Sequence, residues 1–121
     1  MNILIVDDDP VLQELLCSFF ASRGHCVRRA SNGVEALAMV ETALKLDVVL
    51  LDVLMPGLSG NQFIKAVRGG GDTIPIVVLS GYRNELEAHL VDQVDAVVDK
   101  PPSMDNLLKV VESAVSRSAS P

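Results

Sequence analysis

The sequence predicts an α/β fold in which a doubly wound, five-stranded parallel sheet is covered by five helices on its two faces. Strand-like apolar runs alternate with helix-like segments along all 121 residues, and no long polar linker interrupts them. The first run, residues 2–6, is continuously apolar, which is typical of a strand buried on both faces. Because crossovers between parallel strands are right-handed, the helices cover both faces of the sheet. We therefore expect one domain built as a three-layer sandwich.

The predicted elements alternate strictly from one end of the chain to the other. The strands are expected at residues 2–6, 25–29, 47–51, 76–79 and 95–98. The helices are expected from Pro10 to Gly24, around Val34 to Val40, around Phe63 to Val67, over 84–91 and over 105–115. The first two helices follow a capping or turn signal, and glycines end the first and third.

The first helix carries the clearest amphipathic pattern in the chain. Asp9-Pro10 is a helix-start signal, since proline is tolerated at the first helical position. The apolar residues that follow at helical spacing, and that we expect to face the core, are Val11, Leu12, Leu15, Leu16, Phe19 and Phe20.

Composition excludes several classes of function. A net charge of −6 argues against direct nucleic-acid binding, which needs a basic face. The apolar runs are far shorter than the roughly 20 residues of a membrane span. The first residues lack the pattern of a signal peptide, so we expect a cytoplasmic protein with no membrane contact. Cys17 and Cys26 have no metal-ligand spacing and are expected to be core or neutral residues, and both histidines to lie at the surface.

Polar residues follow four of the predicted strands at the point where each strand ends. Asp7 and Asp8 follow the first strand, Asp52 the third, Ser80 the fourth and Lys100 the fifth. In an open parallel sheet these ends lie along one edge, where ligands bind. The sequence therefore predicts that three carboxylates, a hydroxyl and an ammonium converge.

These residue types predict a site for a metal ion and a phosphoryl group. Clustered carboxylates repel one another unless a cation compensates them, and oxygen ligands suit Mg²⁺. An alternative is that Asp8 or Asp9 caps the first helix, but capping does not explain Asp7 or Asp52. A carboxylate such as Asp52 can attack phosphorus, while Ser80 donates a hydrogen bond and Lys100 supplies a positive charge.

The motifs together resemble the response-regulator receiver domain of two-component signalling, in its chemotaxis-regulator-like form, over essentially the whole chain. The matching stretches are Ile3 to Asp9, Leu51 to Gly60, Val78 to Gly81 and Asp99 to Pro101. The resemblance implies a flavodoxin-like sheet with strand order 2-1-3-4-5.

The resemblance also implies a role for each site residue. Asp52 would be the phosphoacceptor, with Mg²⁺ held by Asp7, Asp8, Asp52 and the backbone carbonyl of Leu54. Ser80 would be the switch hydroxyl and Lys100 the phosphate partner, with a cis peptide between Lys100 and Pro101. The implied partners are a sensor histidine kinase or histidine phosphotransfer protein and an unidentified downstream domain or protein. Residues 1–116 would form the receiver domain, and 117–121 a flexible tail or the start of a linker.

The sequence departs from the family at one position. Val97 stands three residues before Lys100, where the family usually has an aromatic residue that moves when Ser or Thr engages the phosphoryl group. The usual coupling cannot operate in that form. Leu54 and Tyr82 are expected to set the lifetime of the phosphoryl group, and we predict slow self-hydrolysis. The surface expected to respond comprises 84–91, the fifth strand and the last helix.

Two alternative classes of function compete with this one, an interaction module and a flavodoxin-like or phosphatase-type enzyme. A pure interaction module would keep the fold without using phosphate; Val97 is the one feature in its favour, because no site residue is lost. A flavin-binding protein would need more aromatics than the 3% present. A haloacid-dehalogenase-type phosphatase, the enzyme alternative of the same fold type, would need a second aspartate at position 54, where Leu54 stands.

Overall fold

The structure is a computed structural model that describes residues 1–42, 45–53, 55, 57–81 and 86–119. The predicted five-stranded parallel sheet is present and has the order β2-β1-β3-β4-β5. Its strands are β1 (Asn2–Val6), β2 (Cys26–Ala30), β3 (Val48–Asp52), β4 (Ile76–Ser80) and β5 (Ala96–Asp99). The predicted fold class is thus confirmed.

The register brings the carboxyl ends of the strands level with one another. Val6 pairs with Ala30 on one side and with Leu51 on the other. One residue later along β3, Asp52 pairs with Leu79 of β4. The residues directly after β1 and at the end of β3 are therefore neighbours at one edge of the sheet.

Within the described residues, four α-helices and one 3₁₀ helix cover the sheet, and a side-chain oxygen accepts a hydrogen bond from the first turn of each α-helix. They are α1 (Pro10–Ser22), α2 (Gly33–Glu41), α3 (Gly60–Gly69), the 3₁₀ helix (Ala88–Gln93) and α4 (Met104–Ala119). The Asp9 carboxylate accepts hydrogen bonds from the first turn of α1, and Asn32 accepts one from the first turn of α2. Ser59 starts α3 through a reciprocal capping box with Gln62. No helix within the described ranges is long and apolar enough to cross a bilayer.

Two apolar cores lie on opposite faces of the sheet, as expected for a three-layer sandwich. On one face the strands pack against α1 and α4, with buried side chains that include Ile5, Leu50, Leu16, Phe20 and Leu107. On the other face they pack against α2, α3 and the 3₁₀ helix, with Leu51, Val78, Phe63, Ile64 and Leu90 among the buried side chains. In β1, β3 and β4 the residues of the two cores alternate along the strand, so these central strands are almost entirely apolar, whereas the edge strand β2 carries the exposed Arg28 and Arg29.

The buried face of α1 differs from the one predicted. Val11 and Leu15 were expected to face the core, but they are 68% and 55% exposed. Gln13 is buried instead, together with Leu16, Cys17 and Phe20. The buried set still has helical spacing, but the helix is rotated so that a polar side chain enters the interior. The side-chain amide of Gln13 is satisfied there by hydrogen bonds to the carbonyls of Asp7 and Ala30.

The fourth helical element is shorter and tighter than predicted. The helix expected over 84–91 is a 3₁₀ helix over Ala88–Gln93, and residues 84 and 85 lie outside the described residues. Its start is held to α3, because the Glu87 amide donates to Asn61 Oδ1 at 2.9 Å and the Glu87 carboxylate lies 3.0 Å from Lys65 Nζ. These contacts hold the start of the segment to α3, while Leu86 and Leu90 bury its apolar side in the core.

The last helix is longer than predicted. It was expected to end at Val115, but α4 continues to Ala119. The Arg117 guanidinium donates to Ser113 Oγ at 3.1 Å and to the carbonyl oxygen of Asp95 at 3.2 Å. The second of these bonds connects the last part of α4 to the residue before β5. The proposed division into 1–116 and 117–121 therefore falls inside a helix and stays a prediction.

Candidate functional site

Three carboxylates meet where β1 and β3 end. Asp7 and Asp8 follow β1, and Asp52 is the last residue of β3. One oxygen from each of the three carboxylates lies within 4.8 Å of the others. The side chains of Asp7 and Asp52 are buried, whereas Asp8 is exposed. The cluster that the sequence predicted from strand ends is therefore formed.

The backbone after β1 holds the acidic residues in a tight turn. The Asp7 amide donates to the Ala30 carbonyl of β2 at 3.2 Å, which continues the sheet by one bond. Asp7 Oδ1 accepts from the Asp9 amide at 2.8 Å, and Asp9 in turn caps α1. Of the two residues that could cap this helix, Asp9 does so. The Asp8 carboxylate and Asp7 Oδ2 are therefore not used for capping and can take part in the acidic cluster.

Lys100 completes the charge arrangement. Its Nζ lies 3.0 Å from Asp52 Oδ1 and 3.7 Å from Asp7 Oδ2. The Lys100 amide donates to the Ser80 carbonyl at 2.9 Å, which holds the end of β5 against β4. The peptide between Lys100 and Pro101 is cis, as the resemblance implied. One ammonium thus faces two buried carboxylates.

Burial dominates the electrostatics of the cluster. The pKa of Asp52 is raised to about 6, mainly by burial; the ammonium of Lys100 opposes the rise and the nearby Asp7 carboxylate adds to it. Burial also raises the pKa of Asp7. The ammonium of Lys100 therefore does not offset the cost of keeping these acids ionised away from water.

The donor set fits a hard divalent cation. Asp7 Oδ2 is buried and accepts no hydrogen bond from the described residues, although Lys100 Nζ lies 3.7 Å away. A buried carboxylate oxygen without a hydrogen bond is costly unless a cation binds it. All the candidate ligands are oxygens, and two of the three carboxylates are buried while the third faces solvent. This combination matches Mg²⁺, which keeps several waters when bound by one or two carboxylates.

Ser80 and Val97 lie on strands beside the cluster. Ser80 is buried at the end of β4, next to β3 on one side and opposite Asp99 of β5 on the other. Val97 lies on β5 and is 45% exposed. Two other residues of the sequence prediction, Leu54 and Tyr82, lie outside the described residues.

Three residues around the site were missed by sequence reasoning. Gln13 donates from its side-chain amide to the carbonyl oxygens of Asp7 and Ala30, each at 3.1 Å. Gly33 and Gly60 lie against the loop that follows Asp52. The spacing of Gln13 with buried Leu16 and Phe20 was a usable signal, whereas nothing local distinguishes the two glycines from ordinary turn residues.

Comparisons with known proteins agree with this geometry. The sequence model of the response regulator receiver domain family matches residues 3–112. The response regulator MprA of Mycobacterium tuberculosis is 35% identical over 119 residues, which are 97% of this chain and 51% of that protein. The MprA protein of Mycobacterium leprae is 36% identical, over 97% of this chain and 52% of its own length. The chain therefore spans about half the length of these curated relatives.

Solved structures match over nearly the whole fold. The response regulator TrrA of Thermotoga maritima, solved in complex with Mg²⁺-BeF, has a TM-score of 0.85 and 31% identity, with 93% of this chain and 97% of that chain covered. The receiver domain of the Francisella response regulator 1452 also has a TM-score of 0.85, with 26% identity over 97% of this chain and 98% of that one.

The family match extends from β1 well into α4, so it includes every strand end that contributes a side chain to the acidic cluster. Sequence, topology and site geometry lead to the same assignment. The chain belongs to the response regulator receiver domain family, the phosphoacceptor domains of two-component signalling.

Proposed function

We propose that Asp52 is the phosphoacceptor and that Mg²⁺ is held by Asp7, Asp8, Asp52 and the carbonyl of Leu54. The observation that carries this proposal is the convergence of two buried carboxylates, one exposed carboxylate and the Lys100 ammonium at one sheet edge. The part given to Leu54 rests on the family resemblance, since that residue lies outside the described ones.

The proposed step is an attack by a carboxylate oxygen of Asp52 on the phosphorus of a phosphohistidine. The new oxygen–phosphorus bond forms as the phosphorus–nitrogen bond breaks, and the imidazole leaves with the electron pair and takes up a proton. Bound Mg²⁺ would neutralise charge on the phosphoryl oxygens. Lys100 moves little to meet one of these oxygens, because its Nζ is already 3.0 Å from Asp52. Ser80 donates a hydrogen bond to another.

The donor in this proposal is a sensor histidine kinase or a histidine phosphotransfer protein. The domain acts as a signalling phosphoacceptor that catalyses only its own phosphorylation and dephosphorylation, in the cytoplasm. Contacts from the phosphoryl group to Ser80 and Lys100 would bias the conformations of the 3₁₀ helix, β5 and α4. A downstream domain or protein would read that surface. The net charge of −6 disfavours direct nucleic-acid or anionic-membrane contact by this domain.

Intact-mass spectrometry after incubation with acetyl phosphate tests the proposal. We expect a single phosphoryl adduct on the wild type with Mg²⁺, none with EDTA and none on Asp52→Asn. The matched control is Asp105→Asn, which makes the same change at an exposed carboxylate on α4 and should keep the adduct. An equal adduct on Asp52→Asn would contradict the assignment. No adduct on the wild type would favour the interaction module.

The same adduct tests the prediction of slow self-hydrolysis. Its decay after removal of acetyl phosphate gives the lifetime, and substitutions of Leu54 and Tyr82 are expected to change it. A lifetime that neither substitution alters would remove both residues from that role.

A further inference from the structure

Gln13 is a buried polar residue that the proposed phosphoryl transfer does not use. Its side chain is 8% exposed and lies on the face of α1 that also buries Leu16 and Phe20. Burying an amide is unfavourable unless its donors are satisfied. Both of the bonds it donates go to backbone carbonyls at the edge of the sheet where the carboxylates converge.

The side-chain amide of Gln13 joins the ends of two strands. Nε2 lies 3.1 Å from the Asp7 carbonyl oxygen and 3.1 Å from the Ala30 carbonyl oxygen. The Ala30 oxygen also accepts the Asp7 amide at 3.2 Å. The Asp7 carbonyl belongs to the peptide that links Asp7 to Asp8. Because a peptide unit is planar, a hydrogen bond to this oxygen fixes the orientation of the peptide plane that joins Asp7 to Asp8.

Gln13 also contacts the other end of the acidic turn. Its backbone amide donates to the Asp9 carbonyl at 3.0 Å, while the Asp9 amide donates to Asp7 Oδ1 at 2.8 Å. The turn of Asp7, Asp8 and Asp9 is thus bonded at both ends to one residue. Asp7 and Asp8 sit between these two points of attachment.

We infer that Gln13 is a positioning residue, which holds the turn so that the carboxylates of Asp7 and Asp8 meet that of Asp52. The inference rests on the proposed function only in taking Mg²⁺ as the ion that these carboxylates bind. Gln13 touches neither the ion nor the phosphoryl group. Its effect passes through the backbone of the turn, as the effects of outer hydrogen bonds on metal ligands do.

The test compares Gln13→Met, a side chain of similar length without a donor, with Leu16→Ala. The control removes buried volume from the same helix face and lowers overall stability, but it takes no hydrogen bond from the turn. We expect Gln13→Met to weaken Mg²⁺ binding about tenfold in a calorimetric titration. We expect Leu16→Ala to change it less than twofold. Gln13→Leu, a second donor-free substitution, should repeat the result.

Hydrogen exchange of the metal-free protein provides a second readout. In Gln13→Met the amides of Asp7 and Asp9 should exchange about tenfold faster, with β3 and β4 unchanged, because only the turn loses its attachment. An affinity within twofold of the wild type, or a loss matched by Leu16→Ala, would overturn the inference. So would unchanged exchange in the turn. A wild type that binds no Mg²⁺ would contradict the proposed function, and the exchange arm, which needs no metal, would still decide the role of Gln13.

Discussion

Lys100 is the residue on which the balance of charge at the site depends. Its ammonium lies 3.0 Å from Asp52 Oδ1 and 3.7 Å from Asp7 Oδ2. A pair of unit charges about 4 Å apart interacts by about 4 kcal/mol near a protein surface. Lys100 thus stabilises the acidic cluster when no metal is bound. Because it favours the same carboxylates that bind the metal, it also competes with a divalent cation for them.

This competition predicts opposite effects of one substitution on binding and on chemistry. Lys100→Met should tighten Mg²⁺ binding by roughly three- to tenfold, since a cation is removed from beside the metal ligands. The same variant should be phosphorylated by acetyl phosphate at least about tenfold more slowly at saturating Mg²⁺, because no ammonium then meets the phosphoryl oxygens. Calorimetric titration and intact-mass time courses measure the two effects.

The control for this prediction is Lys65→Met. Lys65 is a half-exposed lysine on α3 whose Nζ pairs with Glu87, so the change in charge is the same but distant from the site. Lys65→Met should leave the Mg²⁺ affinity and the rate of phosphorylation by acetyl phosphate near their wild-type values. Weaker Mg²⁺ binding in Lys100→Met would show that Lys100 supports the metal site more than it competes with it.

Close approach of backbone elements decides where the loop after Asp52 lies. A Cβ on Gly33 would be 2.4 Å from the carbonyl oxygen of Leu58, and one on Gly60 would be 2.6 Å from Val53 Cα. The start of α2 and the start of α3 therefore both touch the segment that leaves β3. The Gly60 amide also donates to the Val53 carbonyl at 2.9 Å. Only glycine leaves room for these contacts.

The glycines provide a prediction at the level of the elements. Gly33→Ala and Gly60→Ala should each lower the free energy of unfolding by about 1–3 kcal/mol, because backbone atoms must move to admit the methyl group. Gly69→Ala, also on α3, is the control: nothing lies within 4 Å of its added Cβ, and alanine favours the helix by up to about 1 kcal/mol. Urea unfolding measures all three. Equal changes in the free energy of unfolding for Gly33→Ala and Gly69→Ala would show that the backbone at Leu58 can move aside at little cost.

The site exists only when the whole sheet is assembled. Asp7 and Asp8 come from the end of β1, Asp52 from β3, Ser80 from β4 and Lys100 from the residue after β5. Helices on both faces hold these strands in one register. An unfolded chain does not keep the three carboxylates together. The folded state should therefore bind Mg²⁺ much more tightly than the unfolded state.

This difference in affinity predicts that Mg²⁺ stabilises the protein. At a concentration one hundred times Kd, the free energy of unfolding should rise by about 2.7 kcal/mol over that in EDTA. Urea unfolding with MgCl₂, and with NaCl at the same ionic strength, gives the comparison. Asp7→Asn removes the buried ligand and should lose most of the increase. A gain of equal size with NaCl would mean that Mg²⁺ acts by screening alone.

The strands and the members of the site were predictable because strong, local rules govern them. A strand buried on both faces must be apolar along its length, so Val48 to Leu51 and Ile76 to Leu79 are evident in the sequence. A polar residue directly after such a strand lies at the carboxyl edge of a parallel sheet. That single rule places Asp52 and Lys100 at the same edge from their positions in the sequence.

Details of the helices were less predictable, because contacts between elements decide them. The rotation of α1 buries Gln13, whose side-chain amide donates to two strand ends, and exposes Val11 and Leu15. In the extended part of α4, Arg117 donates to the carbonyl of Asp95, twenty-two residues away. Neither partner is visible in a local pattern.

The amino-acid sequence alone was therefore sufficient for the fold class, the strand order implied by the family and the convergence of three carboxylates with Lys100 at one sheet edge. The rotation of α1, the 3₁₀ helix before β5 and the approach of Gly33 to Leu58 were decided by the tertiary structure. The physical reason is how far apart in the sequence the interacting residues lie. Burial of apolar surface follows local periodicity, whereas hydrogen bonds and close packing between distant segments exist only after the chain has folded.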